Sequence, residues 1–144
     1  MRAFLFSIAI VFAPAIAQAI EVGDVISFSS AGVSETVTQV SRPETGVYKV
    51  HSRAMATNAS EYCSRYEQLP PGSAKGKACI RQNVAATETQ FSMNCRTRTL
   101  TIETGDGSGS YRPGEGGDPW VSTADANLIV RADGIYQKVC TSRR

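Results

Sequence analysis

The chain has 144 residues, with 15 basic side chains against 13 acidic ones, a single histidine, a net charge of +2 and 42% hydrophobic residues. So even a balance excludes a nucleic-acid footprint, and no anionic-membrane partner follows from it. One modest core is within reach of this length, and four cysteines, Cys63, Cys79, Cys95 and Cys140, are available to staple it.

The first residues read as an export signal. Arg2 supplies the positive charge, Ala3 to Ala13 an apolar run, and Pro14 leads into small residues. Two cleavage frames fit, Ala15-Ile16-Ala17 and Ala17-Gln18-Ala19. The second is the expected one, which makes 1–19 a signal peptide and 20–144 a single exported domain, periplasmic, secreted or on the outer surface. The apolar run is well short of the roughly 20 residues that cross a bilayer, so no membrane span is expected after cleavage. Losing Arg2 leaves 14 basic residues (15 less 1) against 13 acidic ones, scattered along the sequence. No nucleic-acid partner is expected.

The next segments, 25–29, 35–41 and 46–53, read as strands rich in Val, Thr, Tyr and Ile, separated by turns at Ala31-Gly32 and Arg42-Pro43-Glu44-Thr45-Gly46. Val37 alternates with Thr36 and Thr38, and Tyr48 and Val50 with Lys49 and His51, as half-buried antiparallel strands do. A meander is expected. Residues 54–69 suit either a short helix, with Met55, Tyr62, Tyr66 and Leu69 on one side, or a further strand. Pro70-Pro71-Gly72-Ser73 ends any regular element, and the polar stretch to Lys77 is expected to be a loop closed by a disulfide.

Residues 90–103 give the clearest strand signal. Phe91, Met93 and Cys95 alternate with polar residues, then Leu100 and Ile102 take the opposite parity, which demands a bulge or turn near 96–99. Six glycines follow between Thr104 and Pro119, at 105, 107, 109, 114, 116 and 117. They predict a long exposed loop. Residues 122–140 allow two readings. One is a helix capped by Ser122 and Asp125, with Leu128, Ala132, Ile135, Tyr136 and Val139 on one face. The other is a hairpin turning at Asp133-Gly134.

An even number of cysteines in an exported chain predicts two disulfides. Three pairings are open, and the favoured one joins Cys63 to Cys79 over the Pro70-Pro71-Gly72 loop and Cys95 to Cys140 at the C-terminus. Each bridge stabilises by about 2 to 4 kcal/mol. Zinc is a poor alternative, because no cysteines stand in close pairs and His51 is the only imidazole.

No catalytic, cofactor-binding or metal-binding residues are assigned, and no cofactor is expected. His51 would have to serve any serine or cysteine nucleophile, and no G-x-S-x-G elbow is present. Glu61, Glu67, Asp106, Glu115 and Asp118 have no spacing that demands acid-base pairing. Asp106 to Ser110 begins like a calcium loop, but Tyr111 stands at the glycine position and Gly117 at the bidentate glutamate position. The segment also lacks the Gly-Lys-Ser/Thr ending of a phosphate loop. Tyr111, Arg112 and Trp120 are candidate partner contacts, since Tyr, Trp and Arg dominate binding hot spots. Asn58-Ala59-Ser60 matches a glycosylation sequon.

Asn94-Cys95-Arg96-Thr97-Arg98-Thr99-Leu100, a glycine-rich interval, Pro119-Trp120 and the closing Lys138-Val139-Cys140 together resemble the surface-adhesin protein E family of Gram-negative bacteria. The resemblance covers residues 91–140. It implies an antiparallel sheet with a helix packed on it and a bond from Cys95 to Cys140, and so favours the helical reading of 122–140. The long glycine segment and Gly134 depart from the family pattern, and its host-protein contacts have no compact motif to carry over. The expected fold is α+β, a small antiparallel β-sheet with a C-terminal helix packed on it and stabilised by disulfides. The expected function is that of a non-enzymatic exported binding protein of the bacterial envelope, adhesin-like toward a host matrix protein or partnered with an envelope protein. The alternatives are a small secreted hydrolase or enzyme inhibitor, and a structural subunit of an envelope assembly.

Overall fold

The structure, a computed structural model, describes residues 20–26, 32–115 and 117–141. The signal peptide expected at 1–19, and the part of the first expected strand beyond Ile26, lie outside the described residues. Among those residues, six antiparallel strands run in chain order across one sheet. They are β1 (Val25–Ile26), β2 (Glu35–Glu44), β3 (Val47–Arg53), β4 (Thr89–Asn94), β5 (Thr99–Thr104) and β6 (Gly107–Tyr111). Helices α1 (Ala56–Arg65) and α2 (Ala74–Asn83) separate β3 from β4. Helices α3 (Pro119–Thr123) and α4 (Ala126–Tyr136) follow β6, and α4 runs into a π turn, Gln137–Thr141. The fold is therefore α+β, an antiparallel meander with helices packed after it and two disulfides.

Paired residues of neighbouring strands share a face of the sheet, as do residues two apart. Val50, Phe91 and Ile102 form one row across β3, β4 and β5, and Tyr48, Met93, Leu100 and Tyr111 form the next, reaching β6. Val50, Phe91, Met93, Leu100 and Ile102 are fully buried. The opposite face carries polar rows, Lys49 with Ser92, Thr101 and Ser110, and His51 with Gln90, Glu103 and Ser108. The parity switch between Met93 and Leu100 is a turn at 95–98, built by Asn94 Oδ1, which accepts from the backbone N–H groups of Arg96 (3.0 Å) and Thr97 (3.2 Å). The turn before β3 is shorter than expected. β2 continues to Glu44, and Gly46 at φ +84° closes the hairpin.

After a break at Ala124 and Asp125 the 122–140 segment is helical, and Asp133-Gly134 lies inside α4 rather than at a hairpin turn. Gly134 costs a helix roughly 1 kcal/mol, whereas each fully buried aliphatic side chain returns about 1.5 to 3 kcal/mol. Ala132, Ile135, Tyr136 and Val139 all join the core, so burial decides the outcome. The expected Ser122–Asp125 cap does not form. Asp125 Oδ1 itself accepts from Asn127 N–H at 2.9 Å, and Ser122 belongs to α3.

Two further expectations are corrected. The stretch before Lys77 is not a loop, because Ser73 Oγ accepts from Gly76 N–H at 2.9 Å and caps α2 three residues earlier. The glycine-rich segment is not a long exposed loop either. Its first part is β6, paired residue by residue with β5, and Tyr111 bridges to Gly117 beyond it. Trp120 is the physical reason. A Cβ on Gly107 would come within 2.3 Å of the Trp120 indole, and one on Gly109 within 2.8 Å of the same ring and 2.5 Å of Asp118 Oδ1. Glycine is needed here so that an aromatic side chain can lie against strand backbone.

The disulfides join the favoured pairs. Cys63–Cys79 ties α1 to α2, and Cys95–Cys140 ties the β4–β5 turn to the π turn that follows α4.

Candidate functional site

The residues singled out from sequence are dispersed. Tyr111 is 6% exposed, and its hydroxyl donates to Asp133 Oδ1 of α4 at 2.7 Å. Burial pushes its phenol well above the ordinary value, and the Asp133 hydrogen bond and charge add to that shift. Trp120 is half-buried against β6. Of the three candidate contacts Arg112 keeps an exposed side chain, paired with Glu115 at 3.6 Å.

The remaining polar candidates have local partners. Glu61 pairs with Arg65 one helical turn away, and Glu67 accepts from Tyr62 Oη. Asp118 caps α3 and accepts from Ser110 N–H at 2.6 Å, so it also covers the edge of β6. Asn58 of the sequon is 6% exposed, and its side-chain oxygen accepts from Thr36 Oγ1 and Met55 N–H at 2.9 Å each. An oligosaccharide cannot be attached to it in this fold. His51 on the polar sheet face holds Glu88 through Nδ1 at 3.2 Å. Among the described residues no serine or threonine hydroxyl bonds to its ring, and every cysteine is in a disulfide. No group of three His, Cys, Asp or Glu side chains could hold a metal ion there, and no helix is long and apolar enough to cross a membrane.

A groove between the N-terminal segment and α4 brings together residues that the sequence left unremarked. It has a volume of about 290 Å³ and is lined by Ile20, Val25, Ile26, Val130, Gly134 and Ile135, with Asp24, Arg131 and Lys138 as its charged members. Ile20 and Ile135 are buried in the core, whereas Val25 and Val130 are 50% and 54% exposed. Two aliphatic side chains therefore stand in water on a groove whose other walls are partly aliphatic and partly charged. The N-terminal segment is held in place by backbone bonds from Gly23 N–H to Val37 O and from Val37 N–H to Asp24 O, both 2.8 Å.

The helix side of the groove is fixed by a buried ion pair. Arg131 of α4 meets Glu35 of β2, whose other oxygen accepts from Ser52 Oγ of β3 at 2.5 Å. Burial pulls the Arg131 guanidinium below its ordinary value, and the Glu35 carboxylate opposes that. Breaking one side of such a pair leaves an uncompensated buried charge, so α4 is locked against the start of β2. Gly134 has no packing role, since a Cβ there would meet nothing within 4 Å. Its effect is to leave the helix backbone bare where the groove passes.

Sequence reasoning could have reached part of this. Placing Leu128, Ala132, Ile135, Tyr136 and Val139 on the buried face leaves Val130 on the outside, an exposed aliphatic residue. Nothing in the sequence could place Ile20 and Val25 beside it. Comparison of the chain with protein-family models, with curated proteins and with solved structures found no match.

Proposed function

We propose that the chain is a non-enzymatic exported binding protein of the bacterial envelope, adhesin-like toward a host matrix protein or partnered with an envelope protein. On this reading it receives an apolar side chain of that partner in the groove between β1 and α4. The observation that carries the reading is the groove itself, with exposed Val25 and Val130 on a cleft that combines aliphatic walls with the charged Asp24, Arg131 and Lys138. Recognition surfaces ordinarily combine apolar contact area with polar and charged groups. Two disulfides fit an oxidising compartment outside the cytoplasm, and the resemblance to the protein E family points the same way.

The test is saturable binding to matrix and envelope proteins, measured with the parent and two variants. Val130→Asp places a carboxylate in the groove and should abolish binding while leaving the melting temperature within about 2 °C, as an exposed substitution does. Gly134→Ala should stabilise α4 by about 0.5 to 1 kcal/mol and weaken binding by narrowing the cleft. Unchanged binding in both variants refutes the groove as the contact.

The His51–Glu88 pair favours a second reading, a small hydrolase or enzyme inhibitor, because a carboxylate on one ring nitrogen orients the other as a base. Turnover of any substrate in a hydrolase panel, lost in His51→Ala, would replace the binding reading.

A further inference from the structure

Three of the basic residues scattered in the sequence are brought by the fold to one end of the sheet, where Glu44 is the exposed acidic neighbour. The β2–β3 and β4–β5 turns lie at the same end of the sheet, since Asn94 pairs with both Val47 and Thr99. They are also bonded to each other, with Cys95 N–H donating to Gly46 O at 2.8 Å. Arg42, Arg96 and Arg98 all stand at this end and all are exposed. None of the three is in an ion pair among the described residues.

Each arginine is held by a different device. Arg42 lies over the Tyr48 ring, with its guanidinium carbon 5.3 Å from the ring centre. Arg96 lays its stem across the hairpin turn, where a Cβ on Gly46 would come within 3.3 Å of Arg96 Cγ and 3.4 Å of Nε. Arg98 sits at φ +58°, a left-handed conformation that glycine or asparagine would adopt at lower cost. The turn bearing Arg96 and Arg98 is stiffened by the Asn94 side chain and anchored by the Cys95–Cys140 bond. A strained backbone carrying a charged side chain, beside two more guanidiniums without carboxylate partners, is a costly arrangement for a surface without a task.

We infer that this end of the sheet is a docking surface for phosphate groups, and specifically for the anionic headgroups of a lipid bilayer. A planar guanidinium matches a phosphate with two parallel hydrogen bonds. Arg42, near the end of β2, and Arg96 and Arg98, in the β4–β5 turn, lie spread along one exposed end of the sheet, an arrangement that suits a plane of phosphates better than one enclosed ion. The export reading decides only which membrane would be met. Binding at the groove is a separate property, and failure of the Val130 and Gly134 tests leaves this surface untouched.

The experiment is co-sedimentation of the purified, disulfide-bonded protein with phosphatidylcholine vesicles, with and without phosphatidylglycerol. Binding is expected with phosphatidylglycerol alone and should weaken with added salt. Arg42→Ala and Arg96→Ala should each lower the affinity about fivefold, the effect of removing one surface charge. Arg98→Gly should lower affinity by about the same factor while raising the melting temperature, because it also relieves the left-handed backbone. That pair of opposite shifts separates loss of a contact from loss of the fold. Lys77→Ala on α2, at the other end of the molecule, should change nothing. Four results overturn the inference: equal binding to neutral vesicles, no loss in the arginine variants, a Lys77→Ala effect as large as theirs, or capture by heparin without any binding to vesicles.

Discussion

Replacing Gly109 by alanine tests the account of the glycine-rich segment, because the two physical readings of that residue predict opposite signs. If the glycine merely sat in an irregular connection or an ordinary strand, alanine would remove backbone freedom from the unfolded chain and stabilise by about 0.5 to 1 kcal/mol. In the fold, the new methyl would lie 2.5 Å from Asp118 Oδ1, 2.8 Å from Trp120 Cε3 and 2.9 Å from Val121 Cγ2. Three separate groups must then move, at an overpacking cost of about 1 to 3 kcal/mol. Set against the entropic gain, the net expectation is a loss of about 1 to 2 kcal/mol, or a melting temperature lower by about 4 to 8 °C for a domain of this size. Thermal unfolding followed by circular dichroism measures it directly. A double-mutant cycle sharpens the result. In a Trp120→Ala background the indole contact is gone but those of Asp118 and Val121 remain, so about half the cost of the alanine should disappear. A Gly109→Ala protein as stable as the parent, or more so, would refute the reasoning.

Loop entropy ranks the two disulfides. With separations of 16 and 45 residues, removing Cys63–Cys79 should cost about 3 kcal/mol and removing Cys95–Cys140 about 4 kcal/mol, as read from urea unfolding of the paired alanine variants. The opposite order would show that native contacts, not chain closure, set their contributions. Tyr111 predicts an alkaline limit. Its phenol is raised in the folded state, so above about pH 10 the unfolded chain releases that proton while the folded chain keeps it. Stability should therefore fall with rising pH in that range, by up to about 1.4 kcal/mol per pH unit from this one group. Tyr111→Phe should flatten that slope and cost about 1 to 3 kcal/mol at neutral pH by leaving Asp133 without its donor.

Much of the fold was legible because it rests on local periods and chain order. Alternation in 46–53 and 90–103 marked β3, β4 and β5, and the parity switch between Met93 and Leu100 required the turn that is there. The cysteine pairing followed from an even count and the local loop over Pro70-Pro71-Gly72, helped by a family resemblance. Composition misled where a distant residue set the rule. The glycines at 107 and 109 carry no strand propensity of their own, and only Trp120 lying against them makes β6 intelligible. The α2 start was missed for a simpler reason, since a serine cap after two prolines reads equally well as the end of a loop.

The sequence by itself determined the periodic strands and the supply of cysteines, but left 122–140 open between a helix and a hairpin, because side-chain spacing reports only on a few turns or pleats at a time. Only the tertiary structure decided which surfaces exist. It set Ile20 and Val25 beside Val130, closed Arg131 onto the Glu35 carboxylate that Ser52 also holds, and brought Arg42 of β2 and Arg96 and Arg98 of the β4–β5 turn to one end of the sheet. Contacts between residues far apart in sequence depend on how strands pair and where a helix crosses them. No local pattern encodes that, so a chain with scattered charge can still present a basic tip.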